Sequence, residues 1–313
     1  MNITARPARL RRLGALAAAV VGVTLLAAGC SSSSSSDAAS SSTTPTPTST
    51  IARGTGTVSV LYAGSLLNLM EKSVGPDFDT ATGYTFQGTG MGSGALATLI
   101  KGKTTKADVF ISASPKTNEL LEGDANGNWV SWYATFASSK LVLGINPKSS
   151  FAAELKSKPW YDVVGETGFK LGSTDALTDP KGALSVQALD SAATTENKPA
   201  LAALAKSYNN VQPEESLVGR LQAGQLDAAF FYASEAKAAN IETIPLTGQD
   251  LAAKYTITEV AGAPNSAGAE SFIEYLLGSK GQAAMKKLGY DITSPATVTG
   301  TGVPKALDSV LGK

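Results

Sequence analysis

Histidine is missing from all 313 residues, and with it go the commonest general base and the commonest metal ligand. No Ser-His-Asp or Cys-His nucleophilic engine can be assembled from this chain. Cysteine is nearly missing too: Cys30 stands alone, so no internal disulfide can form. Positive charge is not in excess, since 26 Lys and Arg balance 26 Asp and Glu, and this argues against the basic surface that nucleic acid requires. No apolar run after Cys30 is long enough to cross a bilayer.

The first residues do carry a pattern. Arg6, Arg9, Arg11 and Arg12 precede a short apolar run, Leu13 to Leu26, and small residues lead into Cys30 in "LLAAGC". Such a run with such flanks reads as a signal peptide over residues 1–30 rather than a membrane span. The stretch resembles a bacterial lipobox, which implies that Cys30 becomes a lipid-modified N-terminus. An ordinary secretory signal with an incidental cysteine is the alternative, and "ARLRRLG" leaves a twin-arginine route open. Residues 31–53, rich in Ser, Thr and Pro, lack the apolar surface to offset their ordering entropy and read as a flexible tether. Cleavage would remove four arginines from 26 basic residues, leaving 22 against 26 acidic ones. A bound anion would then be held by local dipoles and hydrogen bonds, not by overall charge.

In the remaining body, apolar runs bounded by turn residues alternate with helical patterns, the mark of an α/β fold. Val58 to Tyr62 reads as a strand and Leu66 to Asp79 as a helix; "YTFQGTG" is a strand before a helix over Gly94 to Lys101. "ADVFISAS" is a strand before a helix at Pro115 to Leu121, and "SSKLVLGINP" is a strand that opens a second unit. A helix from Ala183, "LAALAKSY" and the strand "LDAAFFYASEA" follow, then a strand in "KYTITEV" and two amphipathic helices ending at Tyr290.

Five places could carry chemistry. Gly64-Ser65, with Ser65 as a candidate N-cap, and "GMGSGALATLI", with Ser93 among glycines, both join a strand to a helix, where unpaired N–H groups and the dipole favour an anion. Capping alone would also explain each, but two such turns converge at the carboxyl ends of strands in an open sheet. "TDALTDPKG" offers Asp175 and Asp179, "VQPEESLVGRL" offers Glu214 and Glu215 at a helix mouth, and Tyr232 ends an apolar strand. Turn initiation, dipole complementation and a buried hydroxyl's need for a partner are the plain alternatives.

In this order, these motifs resemble the substrate-binding lipoproteins of molybdate/tungstate ABC importers. The resemblance runs from "VLYAGSLLNLMEK" through "GSGALATLIKGKTTKADVFISAS" and "LVGRLQAGQLDAAFFYASEA" to "SFIEYLLGSKGQAAMKKLGY". It implies that Gly64, Ser65 and Ser93 hydrogen-bond the oxyanion from one lobe, and that Asp179, Pro180, Lys181 and Tyr232 face it from the other. Glu214, with Glu215 as the fallback, stands where one branch of the family has a glutamate ligand. In that branch Asp179 and Glu214 would bind the metal itself, molybdenum or tungsten expanding from four oxygens to six, which sulfate cannot do. That branch resembles a "DPCG" turn where this chain has Lys181.

The fold so implied is a two-lobed periplasmic-binding-protein fold of type II. Each lobe is expected to be a mixed sheet flanked by helices, with residues 54–137 and 241–313 in lobe I, residues 138–240 in lobe II and the ligand in the interlobe cleft. The expected function is capture of molybdate or tungstate and delivery to a membrane permease, without cofactor or catalysis, by a monomer tethered outside the cytoplasm through lipid on Cys30. Other readings are a sulfate or phosphate carrier, a ferric iron carrier using hard oxygen ligands, and a hydrolase on the same fold with Ser65 as nucleophile.

Overall fold

The computed structural model describes residues 51–207 and 211–313. The signal sequence, Cys30 and the tether up to Thr50 lie outside the described residues. Ile51 and Ala52, expected in the tether, are instead docked: Ile51 packs on the core and the Ala52 carbonyl accepts the Ser271 hydroxyl.

Among the described residues, nine strands form two joined sheets: β1 (Thr57–Ala63), β2 (Thr85–Met91), β3 (Val109–Ser112), β4 (Trp132–Ile145), β5 (Leu171–Gly172), β6 (Ala228–Tyr232), β7 (Thr243–Pro245), β8 (Ala252–Glu259) and β9 (Asp291–Gly300). The first sheet runs β2-β1-β3-β8-β4-β9, parallel among β2, β1 and β3 and antiparallel from β8 onward. The second runs β5-β6-β4-β7. Strand β4 belongs to both, its first half pairing with β8 and β9 and its last residues with β6 and β7. This is the expected two-lobed type II arrangement.

Strands β1, β3 and β6 read as near-continuous apolar runs because both faces of the sheet are covered there. In β1, Val58, Val60 and Tyr62 enter the main core while Leu61 enters a smaller cluster with Phe110 on the other face. In β6, Ala228, Phe230 and Tyr232 join the main core while Ala229 and Phe231 pack with Leu217 and Leu221 of the helix Glu214–Gln222. This alternation carries Tyr232 to the inner face at the end of its strand.

Several details differ from the sequence reading. The strand expected at 138–147 is the second half of a strand beginning at Trp132. Strand β7 pairs with Val142 to Gly144, so the chain returns to the first sheet at Ala252 rather than after residue 240. The helix expected from Ala183 begins at Pro180, because Asp179 caps it and proline suits the first helical position. Strand β9 had no expected counterpart.

Candidate functional site

Two walls meet where the lobes face each other. On the first wall, β1 turns into a helical stretch at Gly64–Leu66, with Ala63 and not Ser65 in the capping position. Ser65 lies in the first turn, its Oγ 3.0 Å from the Tyr255 hydroxyl. After β2, Gly92 precedes the helix Ser93–Lys101, and Ser93 Oγ accepts the Ala113 N–H at 3.1 Å. Accepting that bond leaves the Ser93 hydroxyl proton free to be donated elsewhere. Ser65 and Ser93 are both buried, and the side chains of this wall are uncharged.

The second wall is charged and equally buried. Asp179 caps the helix Pro180–Thr195, its Oδ1 accepting the Lys181 N–H at 2.8 Å and the Thr174 hydroxyl at 2.9 Å. Two positions on, the fully buried Lys181 side chain sends Nζ to Glu214 Oε1 at 2.9 Å and Oε2 at 2.8 Å. Nζ also reaches Glu235 Oε1 at 3.0 Å and Oε2 at 2.8 Å. Glu235 Oε2 in turn accepts the Tyr232 N–H at 3.3 Å. The Tyr232 side chain is 1 % exposed, and its hydroxyl has no hydrogen-bond partner among the described residues.

The charges perturb one another. Burial pushes the Glu214 carboxyl well above the glutamate range and the Glu235 carboxyl above it, while Lys181 pulls both back. Burial pushes Asp179 up as well, against Lys181 and the hydrogen bonds it accepts. Burial alone would lower the Lys181 ammonium, but Glu214, Glu235 and Asp179 hold it above the usual lysine value. The Tyr232 hydroxyl is raised by burial and then by Asp179, Glu214 and Glu235, so it is a protonated donor at neutral pH.

Glycines let the walls touch. A Cβ on Gly64 would stand 2.3 Å from Glu214 Cγ, and one on Gly94 would stand 2.7 Å from the Thr178 carbonyl oxygen. That oxygen accepts the N–H groups of Gly94 at 2.9 Å and Ala95 at 3.3 Å, so in this conformation it uses two amides at the mouth of the Ser93–Lys101 helix. Two cavities flank the contact. One, of about 550 Å³, includes Lys116, Thr178 and Lys254 in its lining; the other, of about 340 Å³, includes Gly92, Asp179 and Glu214.

Of the residues singled out in the sequence, Gly64 meets Glu214 directly, and Asp179, Lys181, Glu214 and Tyr232 form one buried cluster. Ser65 reaches that cluster through Tyr255, whose ring stands edge-on to Tyr232 at 6.1 Å. Ser93 is separated from Asp179 by Gly92, where a Cβ would lie 3.0 Å from Asp179 Oδ2. Pro180 only starts the helix, and Glu215 is exposed. Both oxygens of Glu214, expected as a metal ligand, are held by Lys181. Among the described residues, no group of three or more His, Cys, Asp or Glu is disposed to hold a metal ion. Glu235 escaped the sequence reading; its only signal is a carboxylate three residues after Tyr232, in the first turn of a helix, where the dipole alone would explain it.

Two lobes joined by crossing strands, with polar walls meeting between them, are the architecture of a solute-binding protein. The chain belongs to the bacterial extracellular solute-binding protein family, whose pattern it matches over residues 58–291. It is 32% identical over 181 residues to an ABC transporter molybdenum-binding protein of Haloferax volcanii, a match covering 58% of this chain and 56% of that protein. It is 25% identical to the molybdate/tungstate-binding protein of Thermococcus kodakarensis, across 96% of this chain and 97% of that one. Among solved structures, the periplasmic molybdate-binding protein of Azotobacter vinelandii superposes with a TM-score of 0.59 at 20% identity, over 75% of this chain and 99% of that one. The sulfate-binding protein SubI of Mycobacterium tuberculosis superposes with a TM-score of 0.57 at 15% identity, over 76% of this chain and 86% of that one. Both structures share the fold.

Proposed function

We propose that this protein is the substrate-binding component of an ABC importer and that it captures molybdate or tungstate between the two walls. One observation carries the reading: the Tyr232 hydroxyl is buried, protonated and, among the described residues, without a partner. A hydroxyl in that state costs free energy unless something accepts its proton, and an oxyanion oxygen does so. Ser93 on the opposite wall has a proton to give to the same ion, and the relatives named above support molybdenum or tungsten as its centre.

The residues bind and orient; no bond of the ligand is broken. The lobes close about β4 and the segment between β7 and β8, the two places where the chain crosses from one sheet to the other. The closed form is then recognised by a membrane permease, with the protein, a monomer, held outside the cytoplasm by lipid on Cys30. The oxygens of molybdate and tungstate are more basic than those of sulfate and accept stronger hydrogen bonds, while the negative second wall opposes every dianion alike.

Calorimetric titration of the purified protein with molybdate, tungstate, sulfate and phosphate tests this. Tight binding of the first two, with sulfate at least roughly tenfold weaker, is the expected result. Binding of sulfate or phosphate alone would assign the cleft to that ion instead.

A further inference from the structure

Lys181 is the only ammonium in the described cluster, and its protons are all in use. An ammonium has three N–H bonds, and here they face four carboxylate oxygens, two from Glu214 and two from Glu235, at 2.8 to 3.0 Å. The rings of Phe231 and Tyr232 stand 5.2 and 5.6 Å from Nζ and close off the remaining approach. No donor of Lys181 is left for a ligand.

Glu214 is gripped at both ends. Its carboxylate is paired through both oxygens, and its Cγ lies against Gly64 of the opposite wall, where even a Cβ would not fit. Swinging that carboxylate toward a ligand would strip a buried ammonium of one partner and push the walls apart, and a broken buried pair is strongly unfavourable. Glu235 holds Lys181 from the other side and is itself anchored by the Tyr232 N–H.

We infer, building on the oxyanion reading above, that Lys181 and Glu235 are positioning residues that keep Glu214 out of the ligand's coordination shell. With Glu214 held back, and Asp179 Oδ1 taken by the Thr174 hydroxyl and the Lys181 N–H, molybdate or tungstate does not gain the two carboxylate oxygens that a six-oxygen shell needs and is held as a four-oxygen tetrahedral ion through hydrogen bonds. Specificity for the number of oxygens around the metal lies in an ion pair that does not touch the ligand.

X-ray absorption at the molybdenum edge, on the full protein saturated with molybdate, tests this without any substitution. The expected spectrum has the intense pre-edge feature and single short oxygen shell of a tetrahedral ion. A weakened pre-edge with an added, longer oxygen shell, in protein that binds molybdate tightly, overturns the inference and leaves the oxyanion reading standing. Failure to bind molybdate at all removes both. Glu235→Gln supplies a second readout: it keeps an acceptor for Lys181 and takes one negative charge from beside a dianion. Molybdate affinity is expected to rise on the order of tenfold, with the spectrum unchanged. Weaker or unchanged binding counts against the positioning role.

Discussion

The two walls of the cleft are built from opposite materials. The first presents two strand-to-helix turns, Gly64-Ser65 and Gly92-Ser93, with hydroxyls, amides and no charged side chain. The second buries three carboxylates and one ammonium, Asp179, Glu214, Glu235 and Lys181, around an unpartnered tyrosine hydroxyl. A neutral wall of dipoles accepts an anion without a counter-charge and without regard to its centre. A wall with more carboxylates than ammoniums resists a dianion, so whatever binds must gain enough from hydrogen bonds to overcome it. The contrast separates affinity, supplied by donors on both sides, from a cost that the charged side imposes on every dianion.

Breaking the charged wall should have the largest effect. Lys181→Met leaves Glu214 and Glu235 buried without a cation and should cost about 3 to 5 kcal/mol of stability, measured by urea denaturation at neutral pH. The loss should shrink in acid. A carboxyl whose folded pKa is raised contributes stability that is fully present below the unfolded value, near 4.5, and lost as pH rises through the folded value. Lys181 is what limits that rise in the native protein, so thermal melting of the variant should fall more steeply than wild type as pH climbs above that value.

Gly64→Ala attacks the contact between the walls and leaves both chemistries in place. The added Cβ would meet Glu214 Cγ at 2.3 Å, and overpacking of this kind costs about 1 to 3 kcal/mol. Molybdate affinity should drop roughly tenfold to hundredfold; unchanged affinity would show that the walls need not meet. Glu215→Gln marks the small end of the scale. Its side chain is exposed beside the buried Glu214, so molybdate affinity should stay within about twofold, since solvent screens exposed charges. A larger change would move the functional carboxylate by one residue.

Much of the first wall was legible because its signals are local. Ala-Gly-Ser after an apolar strand and Gly-Ser-Gly before a helix each announce a turn with free amides within a few residues. The second wall was legible only in part. Asp179, Glu214 and Tyr232 carry local signatures of cap, helix mouth and strand end, but the bond from Lys181 to Glu235 joins residues far apart in the chain through β6 and its following helix. No periodicity reports such a contact. The same holds for β4, whose full length became visible only once both sheets claimed it, and for β9, a largely exposed and polar strand with proline in its middle. A serine at a helix start has two uses, and that Ser65 lies in the first turn facing Tyr255, a distant residue, is reported by no local signal.

The most direct test is to melt wild type and Tyr232→Phe with and without saturating molybdate. Without ligand, the variant should be at least as stable as wild type, because it no longer buries an unpaired hydroxyl. With molybdate, its gain in stability should be smaller by about 1.5 to 3 kcal/mol, the worth of a hydrogen bond to a charged group. Equal gains in the two proteins would mean that the buried hydroxyl never meets the ligand, and that the oxyanion does not bind between these walls.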